Sequence, residues 1–243
     1  HYPLRRQRQM CIRDSVNSKQ DFLTDKKNWE NSKILRFHSW DGSQFINFKN
    51  RKKIKNKKIA TYLSAFSINS ASDSANYNTS RKENSKKILK SVNKFFNKLE
   101  KNFNFKIKVA KHPREEDNFN SPIYKNKKRF ASKYFTSRLI YNSNLVITTM
   151  STAISYAALF KKPILFIITN EHYKNISLIQ YTKNVSRYFK SDLINIDLKK
   201  KFKINLNLSD QTLSKYGSFK RDYLIHEKFK NSSNSQLLIK LLK

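Results

Sequence analysis

Two short polar segments contain residue types that bind anionic ligands. The first is Lys-His-Pro-Arg at residues 111–114. In it, Lys111 and Arg114 can pair with a phosphate group, and His112 can hydrogen-bond a phosphate or a ribose. The alternative is that Pro113 only ends a strand and that the charges around it are solvated. The motif by itself leaves both interpretations open.

The second segment is Thr-Thr-Met-Ser-Thr at residues 148–152, between an apolar run and a predicted helix. The first N–H groups of a helix have no partner within it, and the helix dipole favours negative charge there. Together with the hydroxyls of Thr149, Ser151 and Thr152, these N–H groups would form an anion site that needs no glycine. Simple N-capping by Ser151 accounts for the segment equally well.

Two carboxylates are further candidates. Glu171 could accept hydrogen bonds from a ribose, although the helix dipole alone also favours an acidic residue in a first turn. Asp41 is the carboxylate of residues 16–58 that has turn-like surroundings, in HSWDG. Three more histidines lack metal-ligand spacing with Cys, Asp or Glu: His38, His172 and His226. We therefore expect no metal and no other cofactor.

These residues must be positioned by strands and helices that the hydrophobic pattern predicts. Strands are predicted at residues 59–66, 105–110, 145–149, 163–169 and 193–197. A capping box of Ser80 and Glu83 opens a helix with one apolar stripe, and shorter helices are predicted at about 131–142, 152–160, 171–190 and 237–243. The alternation of strands and helices predicts an α/β fold, with a Rossmann-like parallel sheet and helices on both faces.

In such sheets, ligands bind beyond the carboxyl ends of the strands. The predicted strand ends deliver four segments to one edge of the sheet: residues 67–73, 111–114, 149–152 and 169–171. The two polar segments described above are therefore expected to lie near each other.

The composition narrows the functions that are open to the chain. It has 243 residues, a net charge of +34, one cysteine and two glycines. Two glycines exclude a P-loop and the G-x-G-x-x-G dinucleotide motif, and one cysteine excludes an internal disulfide. The charge favours a nucleic-acid or anionic-membrane partner, but the abundance of Lys, Asn, Ile and Phe also fits AT-rich coding DNA. Nucleic acid is disfavoured because the densest basic run, residues 49–58, has no aromatic residue for base stacking.

The chain divides into three parts by composition. Residues 1–15 resemble a translated sequencing linker, and residues 16–58 are polar and poorly periodic, as expected for the remnant of an upstream domain and a basic linker. Residues 59–243 hold the predicted Rossmann-like domain and its C-terminal helices, so the N-terminal part is expected to be incomplete. The uncharged stretch 145–160 is shorter than the roughly 20 residues that a membrane span needs, which favours strand–helix–strand.

Several of these motifs together resemble a known family. The Lys-His-Pro-Arg segment is followed by SNLVIT at 143–148, STA at 151–153 and KPILF at 162–166. This series resembles the nucleotide-binding half of GT-B glycosyltransferases of surface-polysaccharide synthesis, including bacterial sialyltransferases, capsule polymerases and Kdo transferases. The resemblance covers roughly residues 59–197. In those families an HP pair and a Ser-Ser or Ser-Thr pair hold the sugar nucleotide, which is often a CMP-sugar.

The resemblance implies a donor site formed by Lys111, His112, Arg114, Ser151 and Thr152. It also implies a nucleotide-sugar donor, a glycan or glycolipid acceptor, and a cytoplasmic protein that can lie at the inner face of the membrane. The family's acceptor site and general base usually belong to a first domain, for which residues 16–58 are too few. In the sialyltransferase-like members that base is an Asp or Glu of the N-terminal half, which makes Asp41 its candidate here, and no other catalytic residue is assigned. Alternatives are another GT-B enzyme, such as a polyol-phosphate transferase or sugar-nucleotide epimerase, and a non-enzymatic basic module that binds nucleic acid or anionic membrane.

Overall fold

Six parallel strands form the centre of the computed structural model, which describes residues 38–48, 58–64, 81–112, 129–198 and 202–241. The strand order is β3-β2-β1-β4-β5-β6, so the chain reverses its direction of travel across the sheet between β1 and β4. The strands are β1 (Ile59–Leu63), β2 (Lys106–Ala110), β3 (Phe130–Ser132), β4 (Leu145–Thr148), β5 (Ile164–Ile168) and β6 (Asp192–Asn195).

The described helices precede the first strand, connect strands or follow the last of them. They are α1 (Trp40–Phe48), α2 (Arg81–Phe103), α3 (Thr136–Tyr141), α4 (Ile154–Leu159), α5 (Ile176–Tyr188), α6 (Asp210–Phe219) and α7 (Asn234–Leu241). Short 3₁₀ helices span Asn170–Lys174 and Glu227–Phe229, and a π-helical turn spans Lys220–Leu224. None of the described helices combines the length and the apolar character that crossing a bilayer requires.

The two faces of the sheet carry separate hydrophobic cores, which confirms the predicted α/β class. On one face, α2 packs against alternate side chains of β1, β2, β4 and β5. Its predicted apolar stripe is buried there: Ile88, Leu89, Val92, Phe95, Phe96 and Leu99. On the other face, α3, α4 and α6 pack against the remaining strand side chains. Strands buried on both faces must be apolar, as β4 and β5 are.

One predicted helix was wrong in part. Residues 130–132 lie in a strand, and the helix predicted for 131–142 covers only Thr136–Tyr141. The cause is tertiary: Phe130–Ser132 pairs with Lys108–Ala110 of β2 at the edge of the sheet. A three-residue strand has too few side chains for its alternation to be visible in the sequence. The capping box of Ser80 and Glu83 and the segments 1–37, 49–57 and 65–80 lie outside what the structure describes.

The start of the described chain is tied to its end by a set of hydrogen bonds, which we call the clasp. His38 is 1% exposed, and its Nε2 lies 3.1 Å from the Phe229 carbonyl oxygen and 2.9 Å from that of Ser232. Its Nδ1 accepts from the His226 N–H at 2.9 Å, so Nε2 carries the proton and donates. Burial lowers the pKa of His38, which favours this neutral form.

The clasp brings α1 against the second core. The Ser39 N–H donates to the Leu224 carbonyl at 3.0 Å, and Phe45 and Phe48 of α1 pack on Phe160. Gly42 faces the π-helical turn so closely that a Cβ there would lie 2.1 Å from the Leu224 oxygen. Residues 38–48 therefore pack on the Rossmann-like part, while the division of the whole chain at residue 58 stays a prediction.

Gly42→Ala should destabilise the protein, because the added methyl group meets backbone that cannot move aside. We expect a loss of about 1–3 kcal/mol in the free energy of unfolding, measured in urea. The chain offers a matched control in Gly217, which is helical and where an added Cβ would have no other atom within 4 Å. Gly217→Ala should be stabilising by about 0.5–1 kcal/mol. Equal effects of the two substitutions would contradict the close packing of α1.

Candidate functional site

The carboxyl ends of β2, β1 and β4 lie level with one another at the edge where the chain's direction across the sheet reverses. Leu63 of β1 is the register partner of Ala110 in β2 and also of Thr148 in β4. The segments beginning at residues 111 and 149 therefore leave the sheet at the same height, two strand spacings or about 10 Å apart. The structure thus brings together the two polar segments that the sequence singled out.

The first segment begins with Lys111 and His112, both half-buried. The Lys111 N–H donates to the Ser132 carbonyl of β3 at 2.8 Å, which continues the sheet by one residue beyond β2. Pro113 and Arg114 lie outside the described residues, as does the whole of the predicted segment 67–73 that follows β1. Two of the four residues of this motif are therefore placed at the edge.

In the second segment, Thr149 has a structural role. Its side chain is 2% exposed, and its Oγ1 donates to the Ile167 carbonyl of β5 at 2.9 Å. The Thr149 carbonyl accepts from the Thr182 Oγ1 of α5 at 3.3 Å. These bonds join β4, β5 and α5. The buried Thr149 hydroxyl therefore positions the loop instead of facing a ligand.

Ser151 and Thr152 lie in a turn that precedes α4. The helix was predicted to start at residue 152, but it starts at Ile154, with Ala153 at the N-cap. The Ser151 Oγ accepts from the Ala153 N–H at 3.2 Å, and the Ser151 carbonyl accepts from the Ile154 N–H at 3.3 Å. Since α4 has only six residues, its dipole would contribute little to the binding of an anion. The polar side chains at this turn are the half-buried Ser151 and the exposed Thr152.

Thr148 begins the second segment, but the sequence analysis gave its side chain no role of its own. It is fully buried, and its Oγ1 has no hydrogen-bond partner within the described part of the chain. A buried hydroxyl without a partner costs about 1–3 kcal/mol. The sequence signal for this buried hydroxyl is the threonine that ends the otherwise apolar run LVIT.

Glu171 has partners that explain it without a ligand. It lies in the first turn of the Asn170–Lys174 3₁₀ helix, and its Oε2 is 2.8 Å from the Lys174 Nζ. Its Oε1 is 4.0 Å from the Lys87 Nζ of α2. These contacts favour the ion-pair account over a ribose contact.

A cavity of about 670 Å³ adjoins the second segment and contains Asp41. The Ser155 Oγ of α4 donates a hydrogen bond to the Asp41 Oδ2, which fixes the carboxylate against the start of α4. We call this the aromatic cavity. It is lined by Ser39, Trp40, Asp41, Thr152, Ile154, Ser155, Tyr181, Asn184, Val185, Tyr188, Phe189, Phe219, Tyr223 and Leu224. Sequence reasoning considered Asp41 and Thr152 but missed the cavity, since no local pattern links its four segments.

A second cavity, of about 390 Å³, is basic. Lys183, Arg187 and Lys190 line it together with Ser186 and Ser191. Lys183 and Arg187 lie one turn apart on α5, and Lys190 follows the end of that helix with its backbone in the left-handed region (φ 51°). Across the described residues, no three His, Cys, Asp or Glu side chains come together as a metal site would require.

Comparisons with known proteins give no sequence match. No protein-family model matches the chain, and no curated protein matches it either. Two solved structures are similar to it: a UDP-GlcNAc 2-epimerase of Methanocaldococcus jannaschii in complex with UDP-GlcNAc and UDP (13% identity, TM-score 0.42) and the glycotransferase of kitacinnamycin (8% identity, TM-score 0.36). The alignments cover 89% and 79% of this chain but only 56% and 46% of those chains. The chain therefore spans about half the length of each.

His172, beside Glu171, is a buried histidine whose titration is coupled to folding. It is 6% exposed, and its Nδ1 accepts from the Thr169 N–H at 2.9 Å. Burial lowers the pKa of His172 to about 4, although the Asp197 and Glu171 carboxylates act in the opposite direction. Between about pH 6.5 and pH 4, His172 is therefore protonated in the unfolded chain but neutral in the folded protein.

The free energy of unfolding should therefore fall as the pH is lowered from about 6.5 to about 4, by about 2–3 kcal/mol from this residue. His172→Asn keeps a side-chain acceptor near the Nδ1 position but does not titrate, so this part of the pH dependence should vanish. Urea unfolding of both proteins across this range measures the difference, and the contribution of His38 cancels in the comparison. Parallel pH profiles would contradict the buried neutral imidazole.

Proposed function

We propose that this chain binds a nucleotide sugar at the carboxyl edge of β2 and β4, and that it is the donor-binding part of a glycosyltransferase that acts on a surface polysaccharide or glycolipid. The observation that carries the proposal is the register of β1. Leu63 is level with both Ala110 and Thr148, so the segments that contain Lys111, His112, Ser151 and Thr152 leave the sheet at the same height. Open parallel sheets bind their ligands at such a crossover.

The four residues suit the diphosphate or monophosphate of a sugar nucleotide. Lys111 supplies a positive charge, and His112 supplies a directed hydrogen bond to phosphate or ribose. Ser151 and Thr152, in the loop after β4, would supply hydroxyl groups for further hydrogen bonds to the phosphate. In the transfer step these groups would stabilise the negative charge that develops on the departing phosphate. The family resemblance adds Arg114 to the proposed donor site. Thr149 and Glu171 are not included, because their side chains already bond to other groups of the protein.

The resemblance of the His112-Pro113 and Ser151-Thr152 pairs favours a CMP-sugar as donor. A sugar-nucleotide epimerase or a polyol-phosphate transferase would use the same phosphate contacts. Transfer to an acceptor distinguishes the glycosyltransferase from these alternatives.

Binding of nucleotides tests the donor site directly. Calorimetric titration with CMP, UDP and GDP should show binding of at least one, weakened about tenfold or more in His112→Ala by the loss of a hydrogen bond to a charged ligand. Lys111→Ala should also weaken binding. Its matched control is Lys101→Ala at the exposed end of α2, which changes the net charge equally and should have little effect. Binding that is absent, or indifferent to His112, would refute the donor site.

We also propose that the basic cavity favours contact with an anionic membrane surface. Each Lys or Arg near such a surface contributes about 1 kcal/mol. The chain should therefore cosediment with phosphatidylglycerol vesicles, and replacing Lys183, Arg187 and Lys190 by Gln should reduce the bound fraction severalfold. The matched control replaces Lys90, Lys94 and Lys98, which are exposed on α2 at the other face of the sheet. Equal losses in both triple variants would show that only net charge matters.

A further inference from the structure

The geometry points to the aromatic cavity as a binding site for a neutral saccharide, which we assign as the acceptor of the transfer proposed above, so the assignment of its role rests on that proposed function. The site is formed by α1, the start of α4, α5 and the π-helical turn. Its volume of about 670 Å³ lies within the range of small-molecule sites, roughly 300–1,000 Å³.

Exposed aromatic rings are the first feature that indicates a sugar. Trp40 is 63% exposed, Tyr181 45%, Tyr223 39% and Tyr188 36%, and all four line the cavity. The exposed part of each ring can contact a ligand, and tyrosine and tryptophan combine an apolar face with a polar tip. A pyranose ring has the matching surface, with C–H groups on its faces and hydroxyls at its rim.

The second feature is charge. The chain contains 51 Lys and Arg residues against 17 Asp and Glu, yet Asp41 is the one charged residue among the described residues that line the cavity. A carboxylate repels a phosphate and accepts hydrogen bonds from hydroxyls. The lining therefore favours a ligand that carries hydroxyl groups over a phosphate, while the Lys215 Nζ lies over the Tyr188 ring, 5.6 Å from its centre. The hydroxyl of Ser155 and the amide of Asn184 add further hydrogen-bonding groups.

The third feature is position. Thr152 lines the cavity and directly follows Ser151 at the proposed donor site, so the two sites share one loop. The Asp41 carboxylate accepts a hydrogen bond from the Ser155 Oγ. Two residues before Asp41, the Ser39 Oγ donates to the Leu224 carbonyl, which holds the start of α1 in place. A saccharide in the cavity would thus lie beside the donor, where an acceptor must be for transfer to occur.

The test uses Trp40 as the reporter in the full-length chain. Trp29 and Trp40 are the two tryptophans, so Trp29→Phe leaves a single fluorophore in the cavity wall. Titration with lactose, maltotriose and N,N′-diacetylchitobiose should give a saturable change in Trp40 fluorescence with at least one of them. Tyr181→Ala should weaken this binding about threefold to tenfold through the lost ring contact. Asp41→Asn, which keeps an acceptor for Ser155, should weaken it about tenfold.

Tyr173→Ala is the matched control, since Tyr173 is 49% exposed and lies on the 3₁₀ helix after β5, outside the cavity lining. It should leave saccharide binding unchanged. The inference is overturned if none of the three saccharides binds, or if Tyr173→Ala weakens binding as much as Tyr181→Ala. It is also overturned if CMP or UDP produces a Trp40 signal that Tyr181→Ala abolishes, because the cavity would then hold the nucleotide.

Calorimetry with nucleotides on the same Trp29→Phe protein separates the two proposals. Nucleotide binding that depends on His112, without any saccharide binding, would refute the saccharide site and leave the donor site standing. Saccharide binding that depends on Tyr181, without any nucleotide binding, would refute the donor site and the acceptor role while supporting the cavity as a saccharide site.

Discussion

Both candidate sites depend on β1 being paired with β2 on one side and with β4 on the other. The two pairings are parallel and place Ala110 and Thr148 level with Leu63, so the chain leaves β2 and β4 at the same height. The strands are buried on both faces, and a shift of register by one residue would turn each apolar side chain to the other face. The packing of the two cores therefore determines where the polar segments emerge.

The clasp adds a long-range constraint of a different kind. His38 is bonded through both ring nitrogens to backbone groups more than 180 residues away, and burial lowers its pKa and keeps it in the neutral form that these bonds need. This arrangement holds Trp40 and Asp41 against the start of α4. Residues 39–41, which form one wall of the aromatic cavity, directly follow His38 of the clasp.

Local charge is informative because the chain as a whole is so basic. With this composition, lysines are expected over most of the protein surface. The basic cavity, which is lined by Lys183, Arg187 and Lys190, fits that expectation. The described lining of the aromatic cavity has a single carboxylate and several exposed rings instead. The proposed phosphate site at the edge of β2 and β4 and the proposed saccharide site in the aromatic cavity therefore differ in their local charge.

The sequence by itself determined the α/β class, five of the six strands and the buried stripe of α2, because each depends on local periodicity. It also predicted that the segments containing Lys111, His112, Ser151 and Thr152 leave the sheet at one edge, since the carboxyl ends of parallel strands lie together. Only the tertiary structure decided that residues 130–132 form a strand, that α4 begins at Ile154 and that Asp41 meets Ser155. Those features depend on contacts between residues 20 or more positions apart or on the geometry of a single turn, and neither leaves a periodic pattern in the sequence.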